Sequence, residues 1–297
     1  MSYSAALPST RAHARKLADF ILRAEGKCTV LTGAGVSTDS DIPDYRGPNG
    51  VYVRNKDYKP IQYQEFMGRH YSRQRYWARS YLGWPKIARV SPNETHLAIA
   101  EIEKRGLMDS GLITQNVDGL HRNFKTLELH GTLHQVHCTS CKHTVPREEF
   151  QQELARLNPI VSMWAAHNPE KLQGDVASST PMNPDGDTEY QWDYSQFVYP
   201  SCVKCGSVYK PSVIFFGENI SAHDRDRSFS MVDDGNALLA IGTSLQVYSS
   251  FRLVQRAAKD HKPITILNLG ETRGDPLATL KIESRSSHVL AETLDLL

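Results

Sequence analysis

Residues 28–38 read CTVLTGAGVST, and this stretch decides the fold. Its first five residues form a short run of the kind found in strands that are buried on both faces of a sheet. Gly33 and Gly35 follow directly, and glycines at this place let the backbone approach a phosphate with its amide N–H groups. Thr38 stands where a dinucleotide fingerprint would carry its third glycine. Taken alone, the loop fits either a nucleotide site or a structural turn.

The same pattern continues outward along the chain. Short apolar runs predict further strands at residues 112–115, 213–216, 237–241 and 263–268. Apolar spacing predicts helices over residues 73–81, 93–105 and 251–259, and a first helix that Ser9 or Thr10 caps and Gly26 ends. Strands that alternate with helices are typical of a doubly wound parallel sheet. We therefore predict an α/β fold built on a doubly wound parallel sheet.

The middle of the chain lacks this alternation. Residues 158–200 contain five prolines, six acidic residues and one lysine, which indicates an irregular insertion with a mobile loop. The chain is expected to leave the main sheet near Gly131 and to return near Lys210. We predict a large nucleotide domain made of residues 1–130 and 210–297, and a smaller inserted module made of residues 131–209.

Four of the five cysteines fall in two Cys-x-x-Cys pairs, Cys138 with Cys141 and Cys202 with Cys205. Two residues between paired cysteines let both sulfurs reach one metal ion. In a chain of this size without a secretory signal, the pattern indicates a metal site rather than disulfides, with a redox dithiol as the alternative. Four thiolate ligands leave no open position, so we predict one structural zinc per chain. The fifth cysteine, Cys28, is expected to be buried and inert.

The overall charge argues against several kinds of partner. The formal net charge is +1, so no strong field attracts nucleic acid or an anionic membrane. No apolar run approaches the ~18–20 residues of a membrane span. Arg11, Arg15 and Lys16 precede the first acidic residue, Asp19, and this composition is compatible with part of a mitochondrial transit peptide. The alternative interpretation is that these residues belong only to the first helix.

Polar motifs follow several of the predicted strands. The loops at the carboxyl ends of parallel strands meet at one ligand crevice, so we expect these motifs to line a single site. They are DIPDYRG at residues 41–47, TQNVDGLH at 114–121, ELHG at 128–131, GTS at 242–244 and NLG at 268–270.

In this order the motifs resemble those of the sirtuin family. The family pattern runs G-A-G-x-S, I-P-D-[FY]-R, T-Q-N-x-D-x-L-H, H-G, two Cys-x-x-Cys pairs, F-G-E, G-T-S and N, and it covers about residues 28–270. The resemblance implies an enzyme that uses NAD to remove acyl groups from protein lysines, releasing nicotinamide and O-acyl-ADP-ribose. It also implies that the nucleotide domain is of the Rossmann type, and that NAD and acyl-lysine meet in a cleft between this domain and the zinc module.

The same resemblance leaves two alternative functions open and implies which partners the protein has. Mono-ADP-ribosyl transfer begins with the same chemical step, and an NAD-binding scaffold with little turnover is a further alternative. The expected partners are acylated-lysine proteins or peptides, with no direct contact to nucleic acid or membrane, and the protein is expected to be a monomer. Residues 73–85 resemble the class II branch, which has a mitochondrial member, and this favours the mitochondrial matrix.

The resemblance also assigns roles to individual residues. His130 is the expected general base, because an unperturbed imidazole titrates near pH ~6.5, and Asn116 is the second catalytic candidate. His121 is expected to be structural. The residues expected to hold NAD are Gly33, Ala34, Gly35, Ser37, Thr38, Asp44, Tyr45, Arg46, Gln115, Asn116, Asp118, Gly242, Thr243, Ser244, Asn268 and Gly270. One departure from the family is Asp41, which replaces a glycine. If that position needs a positive φ, Asp is among the few tolerable residues.

Two sets of residues are expected to contact the acylated substrate. Phe216, Gly217 and Glu218 would pair as a strand with its backbone. Tyr76 and Arg79 lie three apart in a predicted helix and match the Tyr-x-x-Arg of class II sirtuins, where the pair reads a carboxylate at the end of the acyl chain. Acidic or bulky acyl groups are therefore expected to be better substrates than acetyl. The alternative is that Tyr76 packs in the core and Arg79 is a solvated charge.

Overall fold

The structure, a computed structural model, describes residues 8–121, 123, 125–172, 182–188 and 192–297. These residues form nine strands: β1 (Cys28–Thr32), β2 (Leu112–Thr114), β3 (Thr126–Glu128), β4 (Gly131–Cys138), β5 (Thr144–Pro146), β6 (Tyr209–Val213), β7 (Ala237–Ile241), β8 (Ile264–Leu267) and β9 (Leu280–Ile282). They also form ten α-helices: α1 (Pro8–Arg23), α2 (Val51–Arg54), α3 (Tyr63–Gly68), α4 (His70–Ile87), α5 (Glu94–Lys104), α6 (Arg147–Leu157), α7 (Pro159–His167), α8 (Ala222–Asp234), α9 (Tyr248–Lys259) and α10 (Ser286–Leu294).

Six strands form the main sheet in the order β3-β2-β1-β7-β8-β9. All five neighbouring pairs are parallel, so the predicted doubly wound α/β fold is confirmed. The chain runs from β1 to β2 and β3 on one side, and β7 then pairs with the other side of β1. The strand order therefore reverses between β1 and β7, which is the place where open α/β sheets bind ligands.

The main sheet is buried on both faces because neighbouring residues of each strand enter different cores. Val30 packs in one core with Leu17 of α1 and Ile99 of α5, and α10 completes this layer. Leu31, the next residue, packs in the opposite core with Val232 of α8 and Val254 of α9. This accounts for the continuous apolar character of the strands.

A second, smaller unit stands beside the main sheet. Strands β5, β4 and β6 form an antiparallel sheet in that order. Its core joins Cys138 of β4 and Phe150 of α6 to Trp77 and Leu82, which belong to α4. By packing, the smaller unit thus includes a helix that the expected division assigns to the nucleotide domain. The reason is that α4 buries its aromatic residues against α3 and α6 rather than against the parallel sheet, with Trp77 packed on Phe66 and Phe150.

The chain leaves the small sheet at Val213, at the end of β6. The predicted strand at residues 213–216 is wrong, because only Val213 is in a strand, and that strand is β6 of the small sheet. Beyond it the Phe215 N–H donates to the Glu218 carboxylate at 2.9 Å, which turns the backbone.

Part of the expected mobile loop, residues 173–181 and 189–191, lies outside the described residues. Within the described residues no helix is both long and apolar enough to cross a bilayer.

Candidate active site

A cleft of about 980 Å³ opens at the carboxyl edge of the main sheet, between that sheet and the smaller unit. It lies where the strand-end motifs are expected to meet. His130, Tyr76 and the segment Phe216, Gly217 and Glu218 line it. Of the residues expected to contact NAD, Gly270 does not line the cleft, whereas these do: Gly33, Ala34, Gly35, Ser37, Thr38, Asp44, Tyr45, Arg46, Gln115, Asn116, Asp118, Gly242, Thr243, Ser244 and Asn268.

Close backbone packing explains the glycines at the edge of the cleft. A Cβ atom on Gly33 would lie 2.7 Å from the Cβ of Thr243, and one on Gly35 would lie 2.9 Å from the carbonyl oxygen of Gly242. The Gly35 N–H donates to the same carbonyl at 2.9 Å. Gly242 itself has a φ of +59°. The loops after β1 and β7 are thus in direct contact at the topological switch point, and a backbone cradle without side chains faces the cleft.

Beneath this cradle lies a buried polar network. The Ser37 hydroxyl donates to the Asp118 carboxylate at 2.7 Å, and the Asn116 side-chain amide donates to Ser37 Oγ at 3.1 Å. The Asn93 N–H donates to Nδ1 of His96 at 3.3 Å, which leaves the ring proton on Nε2, 3.4 Å from Ser37 Oγ. These contacts join residues that are far apart in sequence. They hold Asn116 and Asp118 in fixed orientations at the floor of the cleft.

His130 is held in one tautomer by its two partners. Nδ1 lies 3.1 Å from the carbonyl oxygen of Gln115, which can only accept, so Nδ1 carries the proton. Nε2 is then an acceptor, and the Ser249 hydroxyl donates to it at 2.8 Å. Burial lowers the pKa of His130 to about 4, the nearby Arg252 lowers it too, and the hydrogen bond to Gln115 opposes the shift. At neutral pH the imidazole is therefore uncharged, with a free-base nitrogen in the cleft.

His121 does not share this geometry. Its Nε2 lies 2.9 Å from the Thr32 hydroxyl, and its ring packs against that of His96 with centroids 4.7 Å apart. Burial lowers its pKa to about 3. These contacts tie β1 to the loop after β2, in agreement with a structural role. Cys28 is fully buried, and burial raises its pKa to about 12, so its thiol is inert as expected.

The segment 41–47 covers part of the cleft. Asp41 has a φ of +59°, so the residue that replaces the family glycine does adopt the left-handed conformation. The Asp44 carboxylate accepts the Gly47 N–H at 2.9 Å, which closes a turn. Arg46 stacks over the ring of Tyr52 at 5.0 Å, and Tyr45 packs edge-on against Phe216 with ring centroids 6.4 Å apart. The two sides of the cleft are therefore in contact through aromatic rings.

The segment after β6 is fixed by a buried ion pair. Lys210 is 1% exposed, and its Nζ lies 3.0 Å from the Glu218 carboxylate. Burial lowers the pKa of Lys210, and Glu218 opposes that shift. The carbonyl oxygen of Phe216 accepts from the Tyr63 N–H at 2.9 Å, and Gly217 has a φ of +78°. The strand-like pairing of this segment with a substrate backbone stays a prediction.

The acyl end of the cleft differs from the sequence expectation. Tyr76 both lines the cleft and packs edge-on against Phe66 and Phe215. Arg79, in contrast, is neither solvated nor part of the cleft lining. It is 6% exposed, and its Nε lies 2.8 Å from the Asp187 carboxylate. Tyr76, the first residue of the Tyr-x-x-Arg motif, thus lines the cleft. Arg79, the last residue of the motif, instead pairs with Asp187 of the protein itself.

The four paired cysteines come together at the far end of the small sheet. The sulfurs of Cys138 and Cys205 are 3.4 Å apart, those of Cys141 and Cys202 are 3.7 Å apart, and all four lie within 4.8 Å of one another. Zinc–sulfur bonds of about 2.3 Å in a tetrahedron place sulfurs about 3.8 Å apart. The donor set and its spacing therefore fit one closed tetrahedral zinc ion.

Several residues at the site carry no motif in the sequence. Ser249, the hydrogen-bond partner of His130, stands in the first turn of α9, and His96 looks like an ordinary helix residue. Arg252 lines the cleft one turn further along α9. Asp185 lines the cleft from the far side. The sequence signal for Asp185 was the turn pattern Asn-Pro-Asp-Gly, which indicates a tight turn but not its position.

Comparisons with known proteins agree with this geometry. The Sir2 family profile matches residues 33–249. The NAD-dependent protein deacylase SIR4 of Batrachochytrium dendrobatidis is 58% identical over 285 residues, which cover 94% of this chain and 92% of that protein. The NAD-dependent protein deacetylase of Xanthomonas axonopodis pv. citri is 45% identical over 279 residues, which cover 93% and 89%.

Solved structures give the same result. A Sir2 structure with a deacetylated p53 peptide and 3′-O-acetyl ADP ribose superposes with a TM-score of 0.70 at 25% identity, covering 95% of this chain and 97% of that one. An ADP-ribose complex of a mutant Sir2 homologue superposes with a TM-score of 0.71 at 26% identity, covering 95% of each chain. The fold, the ordered strand-end motifs in one cleft and these similarities together show that the chain belongs to the Sir2 family.

Proposed function

We propose that this protein removes acyl groups from lysine side chains of other proteins and consumes NAD in doing so. One observation carries the proposal most directly. His130 presents an uncharged Nε2 in a cleft that is lined on one side by the glycine cradle and on the other by Tyr76 and Phe216. A base therefore stands between a nucleotide site and a second, more apolar site.

The residues of the chain support a division of labour in this reaction. NAD supplies a ribose carbon with nicotinamide as its leaving group, and the acyl oxygen of the lysine attacks that carbon. The cradle of Gly33, Gly35 and Gly242 can hold the phosphates, and Asn116 with Asp118, fixed through Ser37, can orient the ribose. His130 then accepts a proton at Nε2 from a ribose hydroxyl. That hydroxyl would take the place on Nε2 that Ser249 Oγ occupies at 2.8 Å.

We propose zinc as the ion held by Cys138, Cys141, Cys202 and Cys205. The sulfur spacing supports a single tetrahedral ion, and two of the sulfurs belong to buried residues, Cys138 and Cys202. With all four positions taken by protein ligands, the ion cannot bind substrate or water. Its contribution is to hold β4 and the segment before β6 together, and thereby one wall of the cleft.

The decisive experiment is incubation of the purified protein with NAD and peptides that carry acetyl-lysine or longer acyl-lysines. We expect release of nicotinamide and formation of O-acyl-ADP-ribose, both measured by mass spectrometry, with no reduced nicotinamide in the absorbance spectrum. A protein-bound ADP-ribose product would instead indicate mono-ADP-ribosyl transfer. Binding of NAD without nicotinamide release would indicate a scaffold, and formation of reduced cofactor would refute the proposed reaction.

We also propose that the protein belongs to the class II branch and acts in the mitochondrial matrix. Residues 73–85 support the first statement through their resemblance to that branch. The exposed basic side chains of Arg11, Arg15 and Lys16 in α1 are compatible with the second. Expression with a carboxyl-terminal fluorescent tag, followed by protease protection of isolated mitochondria, is the test. A tag that is cleaved in intact mitochondria or stays in the cytosol would contradict the proposal.

A further inference from the structure

A short acidic turn of the smaller unit reaches the acyl end of the cleft. Residues 183–187 read Asn-Pro-Asp-Gly-Asp, a sequence with strong turn preferences. The Gly186 N–H donates to the carbonyl of Asn183 at 2.9 Å, the Asn183 N–H donates to the carbonyl of Asp187 at 2.8 Å, and Gly186 has a φ of +74°. Met182 and Thr188 form an isolated antiparallel bridge at its base. We call residues 183–187 the acidic turn.

The acidic turn is packed directly on α4. A Cβ atom on Gly83 would lie 2.0 Å from the carbonyl oxygen of Gly186, so backbone touches backbone there. Met182, before the turn, is buried in the same core as Tyr76 and Trp77. The position of the acidic turn relative to α4 is therefore fixed by packing at Gly186 and at Met182.

This contact brings the carboxylate of Asp187 to Arg79. The Asp187 carboxylate lies 2.8 Å from Nε of Arg79, and the two residues are 7% and 6% exposed. The other oxygen of Asp187 accepts from the Asn183 side-chain amide at 2.6 Å. Asp185 lines the cleft, with Oδ2 3.5 Å from the Tyr58 hydroxyl, and its buried Oδ1 has no hydrogen-bond partner in the described part of the chain. Burial raises the pKa of Asp185 well above its ordinary value, and Asp187 raises it further.

Arg79 and Asp187 lie directly behind the wall of the cleft. Pro60, Ile61 and Tyr76 line the main cleft on one side and a small cavity on the other, and Arg79 and Asp187 line that small cavity. An acyl chain that extends past Tyr76 would therefore meet this ion pair. A terminal carboxylate on the chain would have to compete with Asp187 for Arg79, and it would do so beside the carboxyl group of Asp185.

We infer that Asp187 is a specificity-determining residue that occupies Arg79 and so makes the enzyme prefer uncharged acyl chains to acyl chains that end in a carboxylate. This inference rests on the proposed function. Its physical basis is that one buried guanidinium cannot compensate the carboxylates of both Asp187 and the substrate at full strength, and an uncompensated buried carboxylate is strongly disfavoured. The acidic turn thus supplies from within the protein the anion that the Tyr-x-x-Arg pair would otherwise take from the substrate.

The test compares two peptides that differ only in the charge of the acyl end. One carries glutaryl-lysine, and the other carries the same chain with its terminal carboxylate converted to a primary amide. For the unmodified enzyme we expect kcat/KM to be higher on the amide by about tenfold or more, as is typical when a charged hydrogen-bonding partner is lost. This ratio requires no variant, so it can be measured even if a substitution impairs folding.

In Asp187→Asn the side chain can still accept from Asn183, but it carries no charge. We expect the amide-to-carboxylate ratio of kcat/KM to fall by about tenfold or more, because Arg79 becomes available to the substrate. Arg79→Met added to Asp187→Asn should remove this gain. The matched control is Glu153→Gln, which breaks an Arg–carboxylate pair of 2.7 Å in the same unit but on the exposed face of α6, and it should leave the ratio unchanged.

The outcomes separate this inference from the proposed function. Turnover of both peptides with an unchanged ratio in a folded Asp187→Asn protein overturns the inference and leaves the proposed function intact. The same holds if the unmodified enzyme prefers the carboxylate. If the unmodified enzyme releases no nicotinamide with any acyl-lysine peptide, acetyl-lysine included, the proposed function fails and the inference fails with it.

Discussion

Burial keeps His130 neutral, and the backbone carbonyl of Gln115 fixes its tautomer, so its contribution as a base can be measured. We expect His130→Ala to reduce the turnover of acyl-lysine by about 10²–10⁴-fold, the usual range for a positioned acid–base group. The affinity for ADP-ribose should change only a few-fold, because the glycine cradle that would hold the phosphates stays in place. Single-turnover kinetics and calorimetry measure the two effects.

The pH profile gives a second check on the same residue. A base acts only when unprotonated, and the pKa of His130 is lowered to about 4. The contribution of His130 to kcat/KM should therefore persist as the pH falls from 7 to about 5.5, where an ordinary histidine would already be mostly protonated. The control is His70→Ala, which removes an exposed histidine bonded to Tyr199 at 2.7 Å. Retention of more than about a tenth of the turnover in His130→Ala, with chemistry rate-limiting, would assign the base to another residue.

At the residue scale, the sequence places side chains at the site but not their partners. The strand-end motifs predict that residues such as Ser37, Asn116 and His130 share one edge, because parallel strands expose their carboxyl ends together. Ser249 and Asp187 have no such signal. Their roles arise from side-chain contacts between distant segments, which periodicity and spacing do not report. For the same reason Arg79 was expected in the cleft or in solvent, whereas it is buried against Asp187.

At the scale of elements, the contact between α4 and the acidic turn is the one most open to a test. We expect Gly83→Ala to destabilise the fold by about 1–3 kcal/mol, because its Cβ would lie 2.0 Å from a backbone oxygen that must move. The displaced turn should alter KM for longer acyl peptides and leave KM for NAD unchanged. Thermal unfolding and steady-state kinetics measure these changes.

The matched control is Gly68→Ala in α3, where nothing lies within 4 Å of the added Cβ. That substitution should be neutral or stabilise the protein by up to about 1 kcal/mol, as expected for alanine in a helix. Equal effects of the two substitutions would show that the acidic turn is not held by its contact with α4.

The elements themselves differ in how well the sequence predicts them. Strand β1 matches its predicted bounds, and α5 begins directly after Asn93, whose side chain accepts the Thr95 N–H at 2.9 Å. These elements carry their own local signals, namely an apolar run and a cap. Residues 213–216 have the same apolar run, but the pairing of β6 with β4 and the turn at Glu218 determine their structure. Short edge strands such as β9 lack a recognisable pattern because they have few residues to bury.

At the scale of the whole molecule, the two units have separate cores that meet at the cleft. The glycine cradle belongs to the parallel sheet, whereas Tyr76 and Phe215 share one core with Cys138 and Cys202. Replacing one of these cysteines should therefore disturb the acyl side of the cleft more than the nucleotide side. Structural zinc contributes about 10–16 kcal/mol of apparent binding free energy in small zinc peptides, so loss of the proposed zinc ion would be a large perturbation of the smaller unit.

Zinc removal tests this arrangement. We expect one zinc per chain by mass spectrometry, and we expect chelation or Cys138→Ser to abolish turnover of acyl-lysine, because the wall that carries Tyr76 and Phe215 loses its support. ADP-ribose binding, measured by calorimetry, should weaken by less than about tenfold, and circular dichroism should retain the helical signal of the parallel domain. Zinc added back to the chelated protein should restore turnover. Loss of ADP-ribose binding together with turnover would mean that the two units unfold as one, and full activity without metal would mean that the cysteines do not support the cleft.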